Sequence, residues 1–126
     1  MSKLPKIVLD EWANKVDAVT ITTVNTDGMP NSIYATCVSL HDGDKILVAD
    51  NFFNKTLKNI KDGGKGAVLF LTKENKSYQL KGTFDYATDG ELFADMKKWN
   101  PEQLPGKGVA VLNVEEIYSG ADAIEF

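Results

Sequence analysis

The chain contains no arginine: all 14 of its basic residues are lysines, set against 18 acidic residues, for a net charge of −4 at pH 7. Affinity for nucleic acid comes largely from basic side chains that neutralise phosphates, so an acidic chain without a guanidinium is not expected to bind DNA or RNA non-specifically. Any phosphate it holds must be met by lysine ammonium groups, hydroxyls and backbone N–H groups, without a bidentate arginine fork. A single cysteine, Cys37, excludes an internal disulfide, and a single histidine, His41, leaves too few soft ligands for a zinc or haem site of the usual kind. Carboxylates are scattered, with no pair at glycosidase-like or metal-like spacing, and no metal site is expected. No run approaches the roughly 18 uninterrupted apolar residues that a membrane helix needs, and Met1-Ser2-Lys3-Leu4-Pro5 lacks an apolar signal core. A soluble, cytoplasmic protein with no membrane and no nucleic-acid partner is expected.

What is present is enough for one apolar core. At 126 residues and 43% hydrophobic content the chain reads as a single domain over 1–126. Residues 5–16 carry Leu9, Trp12, Ala13 and Val16 at helical spacing, with Pro5 suited to a first turn. Residues 18–24 are rich in Val, Ile and Thr and run into Asn25-Thr26-Asp27-Gly28, so a hairpin to a second strand at 31–40 is predicted. His41-Asp42-Gly43-Asp44 then turns into a third strand at 45–49. A helix over 55–61, with a polar residue as its cap and Gly63-Gly64 at its end, precedes a strand at 66–72. In the fifth strand Tyr78, Leu80, Phe84 and Tyr86 alternate with Gln79, Lys81, Thr83 and Asp85, and Gly82 on the apolar side predicts a bend, a bulge or a close approach. Thr88-Asp89-Gly90-Glu91 matches a capping box before a helix that Asn100-Pro101 stops, and a last strand covers 107–117. No internal repeat or linker interrupts the order. About six strands of these lengths close most naturally into a small barrel, which removes exposed edges.

The local signal for chemistry is Asn54-Lys55-Thr56, which follows an apolar strand and opens a helix. Free N–H groups, a hydroxyl and an ammonium together can satisfy a phosphate dianion. The same residues also describe a capped surface helix with a solvated lysine. Elsewhere Tyr34 and Thr36 read equally as ordinary sheet residues, Cys37 as a small buried hydrophobe, Lys81 as a solvated lysine and Phe52-Phe53 as core or contact residues.

The order of these pieces adds to that reading. Ala18-Val19-Thr20-Ile21-Thr22-Thr23 with Asp27-Gly28-Met29-Pro30, then Ile46-Leu47-Val48-Ala49-Asp50 with Asn54-Lys55-Thr56-Leu57-Lys58-Asn59-Ile60, then Leu80-Lys81-Gly82-Thr83-Phe84 before a helix, resemble the small FMN-binding split-barrel proteins related to pyridoxamine 5'-phosphate oxidase. The resemblance runs nearly end to end. It implies a mainly β fold, a six-stranded antiparallel split β-barrel with short helices, and FMN as cofactor. It implies that Lys55 and Thr56, beside Asn54, hold the FMN phosphate. It lays the isoalloxazine ring against the second and third strands, at Tyr34, Ala35, Thr36, Cys37 and Val38, with Val48, Ala49, Asp50 and Asn51 at the next edge. It further implies a homodimer whose partner covers the open flavin face, using Trp12, Phe52 or Trp99.

The departures from that family narrow the function. Without arginine, and with a chain that ends at Tyr118-Ser119-Gly120-Ala121-Asp122-Ala123-Ile124-Glu125-Phe126, oxidation of pyridoxamine phosphate is not expected. The histidine-dependent haem chemistry of some relatives finds only His41, in a predicted turn. The resemblance therefore implies a flavin-dependent oxidoreductase acting on a small-molecule substrate or a redox partner protein. Its rivals are a non-enzymatic FMN-binding electron carrier or flavin reservoir, and a cofactor-free barrel serving as an interaction module.

Overall fold

The computed structural model describes residues 3–126; Met1 and Ser2, part of the start read above for a signal core, lie outside the described residues. Among the described residues the order is α1 (Lys6–Ala13), β1 (Val19–Val24), β2 (Pro30–Ala35), β3 (Val38–His41), β4 (Lys45–Asp50) and α2 (Lys55–Asp62). There follow β5 (Lys65–Leu71), β6 (Ser77–Ala87), α3 (Gly90–Trp99), β7 (Gly108–Ser119) and the short β8 (Asp122–Ala123). Among the described residues no helix is long and apolar enough to cross a membrane.

The expected second strand over 31–40 is in fact two strands. The Val38 N–H turns back to the Thr36 carbonyl at 3.1 Å, and the Ala49 N–H takes the Cys37 carbonyl at 3.0 Å, so the backbone kinks at Thr36 and Cys37. Before the kink β2 pairs with β1, and after it β3 pairs with β4. All pairings are antiparallel, and the sheet runs β2-β1-β5-β6-β7-β4-β3, with β8 on β7. β2 and β3 thus lie at opposite ends of the sheet while only Thr36 and Cys37 join them. A chain that short spans no more than about 11 Å between Ala35 and Val38, which forces the sheet to curl until its ends meet at that corner. The result is the split barrel, with the kink and β8 accounting for the strands beyond six.

Curling gives β4 and β7 two covered faces, and both strands are apolar on each. Ile46, Val48, Ala110 and Leu112 face the main core inside the barrel with Ile21, Val68, Phe70, Leu80 and Phe84. Leu47, Ala49, Val109 and Val111 face outward under α3, against Met96. Gly82 marks a bulge: the β6–β7 register shifts between Lys81 and Gly82, and a Cβ at Gly82 would run into the Asn113 carbonyl oxygen. Gly64, at φ +78°, ends α2 where a Cβ would strike the Phe84 carbonyl oxygen.

Three local expectations need correction. The α1 face turned to the core carries Val8, next to Leu4 just before the helix, with Leu9 and Trp12 half-buried and Ala13 exposed. The helix has ended by Val16, whose N–H pairs with the Leu71 carbonyl at 2.8 Å. Neither Asn54 before α2 nor Asp89 before α3 makes a side-chain cap bond, so the expected polar cap and capping box are not formed as such. His41 closes β3 instead of sitting in the turn, which is built by Asp42 (φ 53°) and Gly43 (φ 70°).

Candidate functional site

The kink that closes the barrel also opens a cleft. Ile33, Tyr34, Ala35, Thr36 and Cys37 from one stretch of the sequence and Ala49, Asn51, Phe52 and Phe53 from another line it, and Leu104 completes a space of about 320 Å³. That lies at the small end of the range of known ligand pockets. Small side chains at Ala35, Cys37 and Ala49 leave a slot suited to a planar group, and among the described residues no lysine, carboxylate or histidine lines it. Tyr34 and Phe52 are 83% and 76% exposed at its rim.

Of the residues assigned to the ring from the sequence, Tyr34, Ala35, Thr36, Cys37, Ala49 and Asn51 are brought together here. Val38 and Val48 are not: they oppose one another across β3 and β4 and pack in the main core. Asp50 is wholly buried, its Oδ1 accepting the Phe53 N–H at 2.9 Å and its Oδ2 the Tyr86 hydroxyl at 2.6 Å. The Asn51 side chain is committed inward as well, exchanging amide bonds with Asn100 at 3.0 Å and accepting the Gly106 N–H at 2.9 Å. These last bonds fix the ends of the segment that carries Leu104. Ile33 and Leu104 were missed by sequence reasoning. Ile33 alternates with Ala35 and was legible as its face-mate, whereas Leu104 stands alone in a polar stretch between Pro101 and Pro105, with no period to reveal it.

The segment from Phe53 leads straight into α2. There Asn54 and Lys55 are exposed, and the Lys58 N–H is the first to find a helical acceptor, the Asn54 carbonyl at 3.2 Å. The first-turn N–H groups therefore point out of the helix with no side-chain cap over them. Among the described residues Lys58 pairs with Asp62, while no carboxylate pairs with Lys55. Thr56 is buried, its Oγ1 accepting the Asn31 amide at 3.3 Å with its own O–H left to donate. Asn59 Nδ2 donates to Thr23 Oγ1 at 3.0 Å, so α2 is held to β1 and β2 by two polar contacts. Chemically this is an open anion cradle beside an apolar slot. His41 lies apart, between Asp42 at 3.3 Å and Asp95 at 3.6 Å.

Tyr86 supports this region from beneath. Burial, then the hydrogen bond to Asp50 and its charge, hold the Tyr86 phenol well above the ordinary tyrosine range. An unfolded tyrosine ionises near pH ~10, so above that value the unfolded chain loses a proton that the folded chain keeps. The stability contributed by this phenol is complete below about pH 10 and is lost as pH rises toward its folded value. Urea unfolding of wild type and Tyr86→Phe between about pH 8 and 11 should show the wild type losing stability more steeply. Parallel declines would mean that Tyr86 is not the group responsible.

The family model described as pyridoxamine 5'-phosphate oxidase matches residues 7–120. An uncharacterised protein of Methanocaldococcus jannaschii is 36% identical over 96% of this chain and 85% of its own length. The crystal structure of HupZ from Group A Streptococcus superposes with a TM-score of 0.82 at 25% identity, covering 98% of each chain. An FMN-binding protein from Syntrophomonas wolfei has the same fold, with a TM-score of 0.78 at 22% identity over 95% of this chain and 90% of that one.

Proposed function

This chain belongs to the pyridoxamine 5'-phosphate oxidase family, and from that premise we propose that the whole of 1–126 is one FMN-binding unit serving flavin-dependent oxidoreduction in the cytoplasm. The observation that carries the reading is the adjacency of an uncharged slot to an uncapped helix start, with Phe53 lining the slot and Lys55 two residues further on. FMN has that division, a planar ring at one end and a phosphate dianion at the other, and when bound it supplies reversible one- or two-electron transfer. Lys55 and the first-turn N–H groups of α2 bind the phosphate, and the Thr56 O–H and the Asn54 backbone complete the cradle. Ala35, Cys37 and Ala49 admit the ring, and Tyr34, Thr36 and Asn51 border it. Val38, Val48 and Asp50 act from behind, by shaping the strands and the loop. An FMN-binding relative of the same fold adds support. The test is the absorbance of the purified protein in the blue and mass spectrometry of the ligand it releases: FMN is expected, and a different bound cofactor would overturn the assignment.

A second reading, a flavin-binding electron carrier, is favoured by the cleft lining, which among the described residues holds no histidine, carboxylate or lysine to exchange a proton with a substrate. Steady-state turnover with NAD(P)H and a small acceptor separates the two. An oxidoreductase turns over alone, whereas a carrier passes electrons only in the presence of a partner protein.

The active unit in this reading is a homodimer. Of the aromatic residues that the sequence offers for the contact, Trp12 packs edge-on against Phe70 at 5.3 Å and Trp99 donates to Asp95 at 3.1 Å, which leaves Phe52 exposed. Tyr34, opposite Thr20 and in row with Leu69, extends the same apolar surface from the cleft rim across the sheet. Sedimentation should give a dimer at micromolar concentration. Phe52→Glu should weaken the dimer by about thirtyfold, the effect of losing about 2 kcal/mol at an interface hot spot. An FMN-loaded wild-type monomer at that concentration would contradict the dimer.

A further inference from the structure

Asp50 presents a cost that the cofactor reading does not explain. A wholly buried carboxylate is expensive unless every lone pair is met, and among the described residues no lysine pairs with it. Among the described residues its side chain is met by two donors, the Phe53 N–H and the Tyr86 hydroxyl. Each donor belongs to a part that matters. Phe53 lines the cleft and stands directly before Asn54 and the open turn of α2. Tyr86 comes from β6, against which α2 packs, and is itself wedged in place: its hydroxyl lies where a side chain on Gly108 would be, and the Lys61 ammonium of the last α2 turn sits 5.9 Å over its ring. Asp50 is anchored in its turn by β4 and by the Lys107 N–H, which donates to its carbonyl at 2.9 Å.

The run from Ala49 to Lys55 is therefore held at fixed length, with its ring-lining end on β4 and its anion-binding end tied back through Asp50 to Tyr86. We propose that Asp50 and Tyr86 are a positioning pair that sets the separation between the planar slot and the start of α2, and so makes the site selective for the phosphorylated flavin over riboflavin. This rests on the FMN reading above. Neither residue lines the cleft, so the effect acts through the 51–54 segment alone. Removing the Tyr86 hydroxyl leaves one Asp50 oxygen bare, and the segment relaxes to satisfy it. The part of the slot formed by Ala35, Cys37, Ala49 and Asn51 stays in place, because Asn51 remains pinned to Asn100 and Gly106 and the β3–β4 pairing is untouched. The phosphate contact is what loses its register.

The experiment is titration of FMN and of riboflavin, followed by flavin fluorescence, into wild type and Tyr86→Phe. FMN should bind about tenfold more weakly to the variant while riboflavin stays within about twofold, the loss expected of one displaced charged contact. A merely structural role would move both ligands together. An unchanged FMN-to-riboflavin ratio, whether both affinities fall or neither does, overturns the proposal. Should Tyr86→Phe fail to fold, Asp50→Asn keeps a partner for each contact but makes both neutral, and its FMN-to-riboflavin ratio should fall by about threefold; an undiminished ratio there overturns the proposal equally. Failure of the underlying reading is visible separately, since wild type would then bind FMN no better than riboflavin before any substitution is made.

Discussion

Lys55→Ala should weaken FMN binding by about ten- to a hundredfold while leaving the fold intact. The lysine is exposed at the first turn of α2 and pairs with no carboxylate among the described residues, so its removal disturbs neither packing nor an ion pair. A charge-assisted hydrogen bond contributes about 1.5–3 kcal/mol, which converts to that range of affinity. Riboflavin presents the same ring to Ala35, Cys37 and Ala49 but has no phosphate, and it should lose little. Titrating both ligands by flavin fluorescence separates the phosphate contribution from general damage to the cleft. Equal losses for the two, or none for FMN, would mean that the phosphate is held elsewhere.

Phe70→Ala should lower the free energy of unfolding by about 3–5 kcal/mol, a large part of the roughly 5–15 kcal/mol that holds a domain together. Phe70 is 1% exposed on β5, stacked on Tyr78 with centroids 5.3 Å apart and met edge-on by Trp12 of α1. Truncation leaves a cavity between two rings that strand and helix cannot both close. It also loosens α1, which is tied to this region as well by the Tyr78 hydroxyl donating to Glu11 at 3.2 Å. The measurement is urea unfolding of wild type and variant; a loss below about 1 kcal/mol would mean that this cluster does not organise the core.

The parts of the fold that were legible in the sequence are those written in local chemistry. Asn25 Oδ1 accepts the N–H groups of Asp27 and Met29, and that side chain with Gly28 makes the β1–β2 turn readable. The bulge at Gly82 was readable because a glycine on an apolar strand face has few other uses. The kink at Thr36 and Cys37 was not readable, since residues 31–40 form an unbroken β-like run with no glycine or proline between Asn31 and Leu40. What breaks the run is tertiary: its two halves are claimed by β1 and by β4. The same holds at the site. Cys37, Ala49 and Lys55 are named by resemblance and position, but the sequence could not say that Asp50 and Asn51 spend their side chains on Tyr86, Asn100 and Gly106, partners distant along the chain. Leu104 entered the cleft for a similar reason, because a loop whose ends are tied to Asn51 has its middle placed by that tie.

The central claim, that this chain binds FMN with its phosphate at the start of α2 and its ring in the slot behind the kink, is tested most directly by equilibrium titration of ligand-free wild-type protein with FMN and, separately, with riboflavin. Quenching of flavin fluorescence should saturate at one FMN per chain, with FMN bound at least about tenfold more tightly than riboflavin. Absence of saturable binding, or equal affinity for the two flavins, would contradict it.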